Sequence, residues 1–123
     1  MSTLMKNDKT IAGLASGMKL LWENPNPTSA FANQTITLNS ADYDFLFLSC
    51  ILYGQDNTSV SSIGEKGHGL YIEAEWYTQG SVHIRQRAFT YVSTTQFAVS
   101  DGLIDGVADN LSLIPVAIYG IKL

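Results

Sequence analysis

Cysteine is nearly absent from this 123-residue chain, and so are clustered positive charge and long apolar runs. The single Cys50 rules out an intrachain disulfide, and with only 2 histidines it cannot complete a zinc site of the usual Cys/His composition. Arg85 and Arg87 are the only arginines, and the net charge is −4, so the clustered Lys and Arg needed by duplex nucleic acid or an anionic membrane surface are missing. No segment approaches the roughly 20 apolar residues that span a bilayer, so no membrane insertion is expected. A secretory leader is not expected either. Lys6 and Lys9 precede only the short apolar stretch 11–15, which predicts a chain made in a cytoplasm. Asn33, Asn57 and Asn110, each in an Asn-x-Ser/Thr triplet, then read as turn residues with no glycosylation meaning.

What the chain does have is apolar content, 46% hydrophobic against 15% charged, which places it among globular single domains with a real core. The stretch 43–53 (Tyr43-Asp44-Phe45-Leu46-Phe47-Leu48-Ser49-Cys50-Ile51-Leu52-Tyr53) organises the rest. On a strand, Phe45, Phe47 and Ile51 line one face and Leu46, Leu48, Cys50 and Leu52 the other, so the sequence predicts a central strand buried on both faces. Cys50 reads as a small core residue within it.

Around that strand the chain divides into an arm at 1–17, expected as a short helix or irregular lead-in, and a domain at 18–123. A first strand is expected at 18–23. Asn24-Pro25-Asn26-Pro27-Thr28-Ser29 must turn, because proline lacks an amide proton and restricts the residue before it. Gln34-Thr35-Ile36-Thr37-Leu38 alternates as a half-buried strand. Residues 55–69 carry no periodic pattern and read as a long exposed loop with a short strand near 60–63. Within it Gly64-Glu65-Lys66-Gly67-His68-Gly69 lacks the Lys-Ser/Thr ending and strand-to-helix context of a phosphate loop. Asp101, Asp105 and Asp109 lack the ligand ladder and terminal glutamate of a calcium loop and read as turn residues. Strands at 96–100 and 113–123 follow, the latter starting at an edge or bulge set by Pro115. Together these patterns predict an all-β, antiparallel sandwich of seven to nine strands.

Leu70, Ile72, Ala74 and Trp76 alternate with polar and aromatic neighbours, as do Val82, Ile84 and Ala88 after Thr78-Gln79-Gly80, which predicts a hairpin. A three-residue loop sets Trp76 opposite Val82, Ala74 opposite Ile84 and Glu73 opposite Arg85. That register keeps one face apolar and pairs charges on the other. It gathers Tyr71, Glu73, Glu75, Tyr77, His83, Arg85, Arg87, Phe89 and Tyr91 on a single face. Three readings stand for this face: a solvated surface, a subunit interface, or a ligand surface. No nucleophile, base and orienting group converge anywhere in the sequence, so no enzyme and no cofactor are expected.

Leu20-Leu21-Trp22-Glu23-Asn24-Pro25-Asn26-Pro27-Thr28, followed by Phe31-Ala32 and Gln34, resembles the opening of the C-terminal tip domain in tail-fibre and minor structural proteins of bacteriophages and prophages. Arg87-Ala88-Phe89-Thr90 and the ending Ile114-Pro115-Val116-Ala117-Ile118-Tyr119-Gly120-Ile121-Lys122 are similar to later landmarks of that domain, so the likeness runs from Lys19 to Lys122. It implies a jelly-roll-like β-sandwich, usually trimeric, at the distal end of a phage tail in the virion, made in the host bacterial cytoplasm. It also implies host attachment through a bacterial surface glycan or protein. No coiled-coil shaft, collagen-like repeat or tail-attachment segment precedes the domain, so both an excised tip and a small free-standing phage protein fit. The candidate ligand-binding residues are Tyr71, Tyr77 and Tyr91, whose rings can stack on sugar faces, with His83 and Arg85, beside Glu73, to bond hydroxyls. The loop 55–69 is a second candidate contact region. A purely structural tail or capsid accessory module is the alternative.

Overall fold

The computed structural model describes residues 17–54 and 57–123. The expected helix or irregular arm at 1–17 lies outside the described residues, save for Gly17. Ten strands follow in order: β1 (Met18–Glu23), β2 (Gln34–Thr37), β3 (Phe45–Leu52), β4 (Thr58–Glu65), β5 (Leu70–Thr78), β6 (Ser81–Ser93), β7 (Gln96–Val99), β8 (Leu103–Ile104), β9 (Val107–Ala108) and β10 (Ile114–Ile121). The chain is an all-β sandwich of antiparallel sheets, with no helix among the described residues. The ten strands among the described residues exceed the seven to nine expected, because 101–110 forms the two-residue pair β8 and β9 rather than a plain turn.

One sheet runs β1-β10-β3-β4 and the other β2-β7-β6-β8-β9, with β5 on the free side of β6. The organising strand is central, as its sequence predicts, lying between β10 and β4. Leu46, Leu48, Cys50 and Leu52 point into the sandwich and are buried against Ile36, Leu70, Ile72, Phe89, Phe97 and Val99 of the other sheet. The opposite face departs from expectation. Phe45, Phe47 and Ile51 are only half-buried, because no second layer among the described residues covers that side. Cys50, fully buried, has its thiol pushed up to about 12 by loss of solvent, so it is neutral and inert near neutral pH.

The Asn-Pro-Asn-Pro turn is tied to the last strand. Asn24 is buried, its side-chain amide donates to Pro115 O at 2.8 Å, and its backbone N–H donates to Val116 O at 2.9 Å. These bonds sit at the bulge between Pro115 and Ala117, where proline leaves the ladder irregular, as expected. The segment 55–69 corrects the sequence reading. Within it, Thr58–Glu65 form the full eight-residue strand β4, paired along its length with β3. Its inward positions include Val60 and Ser62, small enough to let the chain turn from one sheet into the other, and Ser62 Oγ donates to Tyr71 O at 2.8 Å. Serine at this corner carries no apolar signal, so alternation was masked.

Candidate functional site

The β5–β6 hairpin closes through a two-residue turn, with Thr78 opposite Ser81. Gln79 and Gly80 take φ of 51° and 79°, the paired left-handed geometry of a type I′ turn whose twist matches that of the strands. The register is therefore one residue away from the expected three-residue loop. Trp76 faces His83, Glu75 faces Ile84, Ala74 faces Arg85, and Glu73 faces Gln86. A one-residue slip exchanges the two faces of a strand, and here it splits the predicted cluster. Tyr71, Glu73, Glu75 and Tyr77 lie on the outer face with Val82, Ile84 and Gln86. His83, Arg85, Arg87, Phe89 and Tyr91 lie on the inner face with Leu70, Ile72, Ala74 and Trp76. The Glu73–Arg85 ion pair does not form.

Arg87 explains why the apolar/charged split failed as a guide. It is 1% exposed, inside the sandwich, and among the described residues no carboxylate forms an ion pair with it. Its Nε donates to Leu113 O at 3.0 Å, Nη1 to Phe31 O at 3.0 Å and Ser100 O at 2.7 Å, and Nη2 to Ser112 O at 3.0 Å and Asn110 O at 3.4 Å. All five donors of the guanidinium thus meet backbone carbonyls, and the Phe31 ring lies 5.5 Å away. Desolvation lowers the Arg87 pKa from 12.5, and nearby Cys50 and Asp101 oppose that shift. Its role is to gather 31, 100 and 110–113 into one knot. Gly102 belongs to the same knot: a Cβ there would meet Ser112 O at 2.5 Å and Asp109 O at 2.6 Å.

The inner residues nearer the hairpin tip form a different group. His83 Nδ1 lies 2.6 Å from Asp105 Oδ2, while Asp105 Oδ1 accepts from Ile84 N at 2.9 Å. Asp105, φ 51°, occupies the tight turn between β8 and β9. The hydrogen bond from His83, then that from the Ile84 amide, holds its carboxyl below the ordinary 3.8. Arg85 presents a buried Nε with no hydrogen-bond partner among the described residues. Tyr91 is half-buried and packs edge-on against Phe97, rings 5.6 Å apart at 82°. It is a core residue, not an exposed stacking ring.

The exposed chemistry lies on the outer face. Tyr71 and Tyr77 are 52% and 70% exposed. Gln86 Nε2 donates to Tyr71 Oη at 2.7 Å and to Glu73 Oε1 at 3.1 Å, and Tyr71 Oη lies 3.4 Å from the same carboxylate oxygen. Tyr71 is thus one exposed ring held beside a carboxylate and a carboxamide, while Tyr77, six residues and so about 20 Å along β5, stands apart near the hairpin tip opposite the exposed Val82. Family models, curated proteins and solved structures offer no match to this chain.

Gln86 and Asp105 are the members that sequence reasoning missed. Gln86 lies between two arginines, and only the two-residue register places it opposite Glu73. Asp105-Gly106 is a type I′ signal that could have identified the β8–β9 hairpin, and with it the partner of His83. A cleft of about 610 Å³ opens elsewhere, beside Trp22, Asn24, Phe31 and Gln34, where the turn 24–30 overhangs β2. Among the described residues no group of three or more His, Cys, Asp or Glu could hold a metal ion.

Proposed function

We propose that this domain is a non-enzymatic receptor-binding tip of the phage tail-fibre kind, recognising a bacterial surface glycan or protein through the outer face of the β5–β6 hairpin. The observation that carries the reading is the hydrogen-bonded Tyr71–Glu73–Gln86 cluster, with the exposed Tyr77 farther along the same face. Aromatic rings stack on the apolar faces of sugars, while a carboxylate and a carboxamide already oriented by one another bond the hydroxyls. That chemistry favours the glycan among the two receptor classes. His83, Arg85 and Tyr91 drop out of the binding set, since they lie on the other side of the hairpin. Strand β4 takes over most of the proposed contact loop, leaving the short connections around it as secondary contacts.

The experiment is staining of host cells by fluorescently labelled protein. Tyr71→Ala and Tyr77→Ala should each lower staining at least tenfold with folding unchanged, whereas Tyr91→Phe should not. Full staining by both alanine variants would refute this surface. The second reading, a structural tail or capsid accessory module, is favoured by the half-exposed apolar face of the four-stranded sheet. Absence of staining across plausible hosts, with assembly intact, would select it.

A further inference from the structure

Burial along the inner face of β6 falls off towards the hairpin tip. Arg87 is sealed in the sandwich, Arg85 is half-buried, and His83 keeps 35% of its side chain in solvent, with 45% for its partner Asp105. The inner face therefore opens into a ledge as it leaves the core. Cross-strand neighbours define that ledge. His83 lies between Trp76 and the Asp105 turn, and Arg85 lies between Ala74 and Ile104, with Val107 exposed beyond Ile104. Residues so paired have Cβ atoms about 5 Å apart, and His83 and Arg85 are about 7 Å apart along the strand. Arg85 is the group on this ledge that the fold does not account for. Its Nε is buried, and none of its nitrogens makes a hydrogen bond or ion pair among the described residues. Nη1 and Nη2, unlike Nε, are not cut off from solvent. The neighbouring carboxylate is already engaged, since Asp105 holds His83 through Oδ2 at 2.6 Å and the Ile84 amide through Oδ1 at 2.9 Å. Arg87, two residues away, meets five carbonyls; Arg85 meets none.

We infer that this ledge is a second binding site, which takes the carboxylate of an acidic sugar across Nη1 and Nη2 of Arg85 and the sugar ring against Trp76. A half-buried cation whose donors the fold leaves unused is completed by an acceptor from outside. The planar guanidinium presents two parallel N–H donors, the geometry of a carboxylate. His83 supplies a third contact: Asp105 fixes its Nδ1, which leaves Nε2 for a hydroxyl. The indole, with Ile104 and Val107 beside it, offers apolar surface that matches a sugar ring and that a bare inorganic anion would not use. Charge narrows the class further. One guanidinium next to the Asp105 carboxylate suits a single negative charge, whereas a phosphate dianion would meet repulsion with no second fixed cation to offset it. The site shares no residue with Tyr71, Glu73, Tyr77 and Gln86, which lie on the opposite face of the hairpin, so it goes beyond the outer-face reading and does not depend on it.

Titration of the full ¹⁵N-labelled chain with methyl β-glucuronoside and methyl β-glucoside tests it, because the two probes differ only in a carboxylate against a hydroxymethyl group. The glucuronoside should bind about tenfold or more tightly at low ionic strength, shifting Trp76, His83 and Arg85, and added salt should erode the difference. Arg85→Met should abolish the preference while leaving the urea midpoint unchanged or higher, a combination that a merely structural arginine would not give. Arg85→Lys, which keeps the charge but not the fork, should retain only part of the preference. Equal binding of the two probes overturns the inference, as does a preference that survives Arg85→Met. Acetate or inorganic phosphate binding as tightly as the glucuronoside would overturn the assignment to a sugar, and shifts confined to Tyr71 and Gln86 would overturn the location. Binding that appears only in Asp56→Asn would give Arg85 a carboxylate of the chain itself as its partner, and overturns it too. Staining of cells by Tyr71→Ala and Tyr77→Ala reads other residues, so failure of the receptor reading and failure of this one are distinguishable.

Discussion

Replacing Arg87 by lysine keeps the charge and the strand propensity, yet it should be among the most damaging single changes in the chain. The guanidinium supplies five N–H donors in a planar fork to five backbone carbonyls. Lysine offers three donors radiating from one nitrogen, so at least two carbonyls lose a bond, and since Asn110 O keeps the Phe31 amide at 2.9 Å, at least one is left unsatisfied. A buried acceptor left unsatisfied costs about 1–3 kcal/mol, which gives roughly 1–6 kcal/mol for Arg87→Lys. That is a large share of the ~5–15 kcal/mol by which a domain is stable. Arg87→Met should cost more, because no acceptor is served and backbone carbonyls cannot be mutated away. Arg85, two residues away on the same strand face, is the internal control. Its Nε is already buried without a partner, so Arg85→Met gives up no hydrogen bond there and should leave stability unchanged or raise it by up to about 1–3 kcal/mol. Urea unfolding followed by the fluorescence of Trp22 and Trp76 reads all three, provided the slope against denaturant is unchanged. An Arg87→Lys midpoint equal to that of the wild type would refute the satisfied-fork account.

Further outcomes follow from the same geometry. Gly102→Ala should destabilise by about 1–3 kcal/mol in thermal unfolding, because its Cβ would strike backbone oxygens that cannot move independently. Gln79→Asn should stabilise by roughly 0.5–1 kcal/mol, since asparagine suits a positive φ ahead of Gly80 in a type I′ turn. Urea midpoints should fall as pH rises from 9 towards 12, where the unfolded Cys50 thiol ionises and the buried one does not. Cys50→Ala should remove that fall, and a thiol reagent at pH 8 should react only after unfolding. Asp101, held low first by the Asn33 amide and then by its side chain, and Asp105, held low by His83, contribute stability present above 3.8. It should be lost as pH falls through their lower folded values, and Asp101→Asn should flatten the acid limb.

Most of the fold was legible because alternation in β5 is strong, β3 and β10 are near-continuous apolar runs, and proline and glycine punctuate the chain. The strand 43–53 announced its own two faces, and Pro115 announced its bulge. Two features were not legible, for definite reasons. Strand β4 is Thr58-Ser59-Val60-Ser61-Ser62-Ile63-Gly64-Glu65, an edge strand at a corner where inward positions must be small, so its periodicity is written in serine and glycine. The hairpin register turned on one residue, and charge pairing argued for the wrong choice because Arg87 is a core residue. A guanidinium paired only with carbonyls leaves no acidic partner in the sequence to reveal it. The chemistry of Tyr71 and Tyr77 was visible, but the company they keep was not, since Gln86 joins them only in the two-residue register.

The central claim is that the outer face of the β5–β6 hairpin meets the receptor. Its most direct measurement is a ¹H–¹⁵N chemical-shift titration of the full chain with cell-surface glycan fragments prepared from a host that the protein stains. The account predicts saturable shifts concentrated at Tyr71, Glu73, Tyr77 and Gln86, with Leu20, Phe47, Ile63 and Tyr119 unmoved. Shifts centred on the cleft beside Trp22 and Phe31, with the hairpin silent, would contradict it.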